Sequence, residues 1–134
     1  HRDLHSFPTR RSSDLVDTDK KIVLKQTESI FDIGPKTVSH FAQIIKSAKT
    51  LVWNGAMGYF EQHPYEYGTY AIARLFAAKA KGPAFGVSGG GETVEVLKKL
   101  GLTEDIDLVS TGGGAMLEYL SGKNLPGVKV VTKK

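Results

Sequence analysis

Six of the 15 glycines in the 134-residue chain form two unbroken triplets, Gly89, Gly90, Gly91 and Gly112, Gly113, Gly114. Each triplet follows a short apolar run closed by a hydroxyl residue, Ser88 in one case and Ser110 with Thr111 in the other. Each precedes a stretch with helical spacing. Glycine lets a chain turn sharply and leaves the backbone open to close approach. A chain with two such junctions is constrained to repeat a strand, tight turn, helix unit.

The other segments fit that repeat. After the turn signal Gly34-Pro35, the residues Val38, Phe41, Ile44, Ile45 and Ala48 recur at three and four, which predicts an amphipathic helix over 36–49. Residues 50–53, Thr-Leu-Val-Trp, read as a buried strand closed by Asn54-Gly55, with a loop through Gly58, Pro64 and Gly68. Helices are predicted over 70–81, 92–100 and 115–120, and strands over 84–87 and 107–110. Residues 22–24 are a further strand candidate, and 125–131 read as a turn with an edge strand. Trp53 is expected in the core, and His40 and His63 are read as structural or surface residues. Alternating short apolar strands and helices predict an α/β fold, a Rossmann-like parallel sheet with helices on both faces, as part of a three-layer sandwich. Ligands of open α/β sheets bind beyond the carboxyl ends of the strands. The loops starting at Asn54, Ser88 and Thr111 all fall at that edge.

A helix N-terminus carries unpaired backbone N–H groups and the positive end of a dipole, so it favours an anion. Two glycine triplets opening two helices suit two phosphate groups, or a phosphate chain and a transferable phosphoryl. The plainer alternative is that they only make tight turns. Other phosphate signatures are absent. No G-x-x-x-x-G-K-[ST] occurs, and Val94 and Leu117 stand where G-x-G-x-x-G requires its third glycine. Glu92 follows the first triplet directly. Its spacing suits a favourable charge at a dipole end and equally a Mg²⁺ ligand beside phosphates. Thr93 has a hydroxyl that suits a phosphate or the first helical turn. Glu61 suits a solvated surface or a ribose.

The remaining composition narrows the classes. With no Cys, thiolate metal sites and cysteine nucleophiles are excluded, and neither His40 nor His63 belongs to a Ser-His-Asp or His-x-x-x-His spacing. No apolar stretch reaches about 20 residues, so no membrane partner is expected. Residues 1–15 are rich in Arg and Ser and lack any apolar period. A codon string common to sequencing adapters encodes them in frame, so they are expected to be a non-native tail, with 16–134 the native part. They carry three Arg against two Asp, one of the chain's four net positive charges. The Lys residues elsewhere are scattered, which argues against a nucleic-acid partner.

In order and spacing, several motifs resemble the phosphoglycerate kinase family. They are Asp32-Ile33-Gly34-Pro35-Lys36-Thr37; Val52-Trp53-Asn54-Gly55, running through Gly58 to Phe60-Glu61; Gly89-Gly90-Gly91-Glu92-Thr93; Ser110-Thr111-Gly112-Gly113-Gly114-Ala115; Gly122-Lys123; and Leu125-Pro126-Gly127. The resemblance covers nearly everything after Phe31 and corresponds to the C-terminal part of the family's nucleotide-binding domain. It implies a parent enzyme, cytoplasmic, glycolytic and monomeric, that moves a phosphoryl group between 1,3-bisphosphoglycerate and ADP to give 3-phosphoglycerate and ATP, with Mg²⁺. It implies that Glu61 holds the ribose, that Asn54, Gly90, Gly91 and Thr93 lie along the nucleotide phosphates, and that Glu92 meets the metal. Gly112, Gly113 and Gly114 would offer N–H groups to the transferring phosphoryl. Glu92 stands where the family usually has Asp, Ala56 where Pro is common, and Met116 where a small polar residue is common.

The phosphoglycerate-binding domain and the first half of the nucleotide domain are not in this sequence. The chain by itself is therefore expected to lack turnover. A stand-alone nucleotide- or phosphate-binding module and an unstable inactive piece are the alternatives.

Overall fold

A computed structural model describes residues 29–132. The strand candidate at 22–24 and the tail at 1–15 lie outside the described residues. Eight elements follow in the order α1 (Pro35–Ser47), β1 (Thr50–Asn54), α2 (Tyr67–Ala80), β2 (Phe85–Gly89), α3 (Gly91–Lys99), β3 (Leu108–Ser110), α4 (Gly113–Leu120) and α5 (Pro126–Thr132), with one 3₁₀ turn at Thr103–Asp105.

The three strands form a parallel sheet in the order β1-β2-β3. Val52 stands opposite Val87, and Val87 opposite Leu108. Because successive strands advance in one direction, right-handed crossovers place α2 and α3 on the same face. Alternation along β2 agrees. A Cβ on Gly86 would come within 2.5 Å of Ala80 Cβ and 3.5 Å of Phe76 Cζ, both on α2. Gly89 points the other way, and a Cβ there would strike the Met116 side chain of α4. Helices therefore flank both faces, with α1, α2 and α3 on one and α4 on the other.

The core lies on the α1–α3 face. Trp53 and Phe76 pack with ring centroids 5.6 Å apart. Around them sit Phe60, Ile72, Ala73, Ala77, Val96, Leu97 and Ile106, all buried. Val96, Leu97 and Ala73 are wholly inaccessible. Helix α1 adds Val38, Phe41 and Ile45 to this core from its inner side, but Ile44 turns outward and is half exposed.

On the opposite face Val52, Phe85 and Leu108 are each half exposed. Helix α4 reaches only the carboxyl end of that face, where Met116 covers Gly89.

The edge strand expected within 125–131 is helix α5 instead. Pro126 has φ preset for a first helical turn and needs no N–H there, and the Lys129 N–H donates to Leu125 O at 3.1 Å. The β-branched Val128, Val130 and Val131 suggested a strand, but β-propensity counts only where a neighbouring strand offers a ladder. The other predicted elements differ from the observed ones only at their ends. Among the described residues, no helix is long and apolar enough to cross a membrane.

Candidate functional site

The carboxyl ends of β1, β2 and β3 bring Asn54 and the two triplets into contact. Gly90 has φ +94°, a conformation that L side chains rarely adopt, and a Cβ there would sit 2.6 Å from Asn54 Oδ1. A Cβ on buried Gly113 would lie 2.7 Å from Gly90 Cα and 2.8 Å from both Gly90 N and Asn54 Oδ1. The Gly90 N–H donates to Ser110 O at 3.1 Å. The triplets thus touch backbone to backbone, with the Asn54 amide oxygen against both. Glycine is sterically required at 90 and 113.

Gly91, Gly112 and Gly114 are different. A Cβ on Gly91 or Gly114 would meet nothing within 4 Å, and one on Gly112 would meet only Ala115 Cβ at 3.8 Å. All three are exposed. Packing among the described residues does not explain glycine at these positions.

Helix α3 starts from Gly90 and α4 from Gly112, and neither start has a side-chain cap. The first-turn N–H groups of Gly91, Glu92 and Thr93, and of Gly113, Gly114 and Ala115, have no intrahelical acceptors by position. Two positive dipole ends therefore open at one sheet edge.

Glu92 is exposed in the first turn of α3. Among the described residues, no group of three or more His, Cys, Asp or Glu is placed to hold a metal ion. A divalent cation at Glu92 would take most of its oxygens from a bound phosphate and water, which suits Mg²⁺. The carboxylate and the bare N–H groups beside it fit such an ion only together with a phosphate ligand.

Glu61 is exposed in the loop between β1 and α2. That loop is held by acceptors distant in sequence. The Gly55 N–H donates to Thr93 Oγ1 at 2.8 Å. The Met57 and Gly58 N–H groups donate to Thr69 Oγ1 at 3.1 and 3.2 Å, and the Tyr59 N–H to Phe31 O at 2.7 Å. Thr69 and Thr93 are both wholly buried. The Thr93 hydroxyl thus faces the loop of β1, and its backbone N–H remains at the helix start.

Two carboxylates frame the far end of this loop. Asp32 accepts the Gly68 N–H through Oδ2 and the Ile33 N–H through Oδ1, each at 2.8 Å. Burial raises its carboxyl above the usual 3.8 and outweighs those two bonds, with the nearby Glu66 charge adding to the rise. Glu66 Oε1 bonds His63 Nδ1 at 2.8 Å. Burial pushes the Glu66 carboxyl up, but the His63 bond, its own backbone N–H and the charges of His63 and Lys99 outweigh it, leaving the group below the usual 4.5. Local spacing does not mark Thr69 or Asp32 as residues that hold this loop, because the Met57, Gly58 and Gly68 amides they accept from lie 11 to 36 residues away.

An open parallel sheet with helices on both faces places the chain in the α/β class, whose open sheets bind ligands beyond the carboxyl ends of their strands. The family model for phosphoglycerate kinase matches residues 4–123, and the chain belongs to that family. A phosphoglycerate kinase of Orientia tsutsugamushi (strain Ikeda) is 42% identical over 121 residues, 90% of this chain and 30% of the relative. One from Zymomonas mobilis is 48% identical over 105 residues, 78% of this chain and 26% of the relative. The solved structure of phosphoglycerate kinase from Coxiella burnetii superposes with a TM-score of 0.71 at 43% identity, covering 83% of this chain and 28% of that one. The chain spans about 30% of the length of the curated relatives it matches.

Proposed function

We propose that residues 16–134 are the C-terminal part of the nucleotide-binding domain of a phosphoglycerate kinase. In the parent enzyme this edge handles the phosphates of Mg-ADP or Mg-ATP. The observation that carries this reading is the bare backbone at Gly91, Gly112 and Gly114, where neither packing nor φ calls for glycine. The reaction moves one phosphoryl from the acyl phosphate of 1,3-bisphosphoglycerate to the terminal phosphate oxygen of ADP. The products are 3-phosphoglycerate and ATP.

Phosphoryl transfer depends on positioning and on stabilising charge, so no nucleophilic side chain is needed. The N–H groups of Gly91, Glu92 and Thr93 would face the nucleotide phosphates, with Gly90 setting the turn and Asn54 beside it. The N–H groups at Gly113 and Gly114, with the open backbone of Gly112, would face the transferring phosphoryl. Glu61 would accept from the ribose hydroxyls. Glu92 would hold Mg²⁺, which when bound neutralises phosphate charge.

The 134-residue chain alone is proposed to have no turnover, because transfer requires a second substrate site closing over this one. A coupled assay for ATP formation from 1,3-bisphosphoglycerate and Mg-ADP tests this, and measurable ATP overturns it. Titration calorimetry with Mg-ADP tests the alternative of a binding module without catalysis. The formed helix starts of α3 and α4 favour weak binding, and no heat at millimolar ligand counts against it. The parent is read as a cytoplasmic, monomeric glycolytic enzyme.

The family match begins inside residues 1–15, so their adapter origin rests on the codon string. Unrelated codons in the nucleotide record refute that origin.

A further inference from the structure

We infer that Thr93 and Thr69 are positioning residues: their buried hydroxyls latch the first residues of the β1–α2 loop to the starts of α3 and α2, so that these helices help to present the loop's site residues. Three of the four backbone N–H groups from Gly55 to Gly58 donate to these two oxygens, Gly55 to Thr93 and Met57 with Gly58 to Thr69. Both side chains are wholly inaccessible, so each hydroxyl serves the protein's interior.

The placement matters for the edge. Thr93 lies in the first turn of α3, two residues after Gly91, and Gly55 directly follows Asn54, whose Oδ1 lies against Gly90 and Gly113. One hydrogen bond therefore ties the turn after β1 to the helix that the first triplet opens. Thr69 lies in the first turn of α2 and fixes the next part of the same loop, which leads on to Glu61. Phe60 and Tyr65 anchor the later part of this loop by burial, and the two latches remove backbone freedom from its first four residues before a ligand arrives.

The ligand-dependent part of this inference rests on the proposed nucleotide reading; the latch itself does not. Amide hydrogen exchange on the full 134-residue chain tests the latch directly. In the unsubstituted chain the Gly55, Met57 and Gly58 amides exchange slowly; free exchange at all three overturns the inference. Thr93→Val keeps the shape and removes the acceptor, and it speeds exchange at Gly55 by about tenfold with Met57 and Gly58 unchanged. Thr69→Val does the reverse. Thr93→Ser and Thr69→Ser restore protection, which a role in side-chain packing alone would not do. If a Val variant fails to fold, exchange in the Ser variant still decides, since loss of protection there overturns the latch. Mg-ADP is then titrated as a separate probe. Weaker binding in Thr93→Val together with loss of Gly55 protection supports positioning. Weaker binding with Gly55 protection intact means that the hydroxyl touches the ligand, and overturns it. Absence of binding in every chain counts against the nucleotide reading and leaves the exchange result to judge the latch.

Discussion

Within the triplets, neighbouring glycines have different reasons to be glycine. Gly113 presses on the Gly90 backbone and Gly90 holds a positive φ, while Gly91 and Gly114 border open space. Gly113→Ala is expected to lower stability by about 1–3 kcal/mol through overpacking against main chain that cannot move aside. Gly91→Ala removes backbone freedom from the unfolded chain without a clash. It is expected to leave stability unchanged or raise it by about 0.4–1 kcal/mol, while weakening Mg-ADP binding. Urea unfolding and calorimetry on the same two variants separate these effects; equal loss of stability in both would contradict the division. The sequence made all six triplet glycines look alike. Which of them packing requires depended on how closely β2 and β3 bring their loops, a distance that no local pattern encodes.

Among the elements, α1 to α4 are legible in the sequence through their apolar spacing and flanking glycines, and α3 shows it best. Val94 and Leu97 face inward as the spacing requires, and Leu97 is wholly buried. Leu97→Ala is expected to cost about 2–5 kcal/mol in urea unfolding. The start of α2 is governed by two carboxylates that act in opposite directions with pH. Glu66 is lowered, so its ionised form contributes stability above the usual 4.5, and that contribution is lost as pH falls through its folded value. Asp32 is raised, so its contribution is present below 3.8 and is lost as pH rises through its folded value. Relative to the unsubstituted chain, Glu66→Gln should therefore lose less stability on acidification and Asp32→Asn should lose more. Unfolding midpoints measured across the acid range check both signs. Helix α5 was misread as a strand because Val-rich segments take their conformation from what adjoins them.

For the molecule as a whole, the two sheet faces are unequal. One carries the core, while Val52, Phe85 and Leu108 on the other are half exposed. Leu117, Tyr119 and Leu120 on α4 and Val130 and Val131 on α5 add further exposed apolar surface. Apolar surface of this kind promotes association. Replacing Val52, Phe85 and Leu108 together by Thr should reduce light scattering of the concentrated chain and shift its melting temperature little; unchanged scattering would show that this face is not where copies meet. By itself, the sequence determined the strand–helix alternation, the parallel sheet and the edge where a ligand would sit, because period, turn residues and glycine runs act over a few neighbours. Only the tertiary structure decided that the two triplets touch, that Asn54 lies against both, that Thr93 and Thr69 hold the loop after β1, and that Val52, Phe85 and Leu108 on one sheet face stay half exposed. Those outcomes rest on contacts between segments distant in the chain, and such contacts form only once the sheet has aligned its strands.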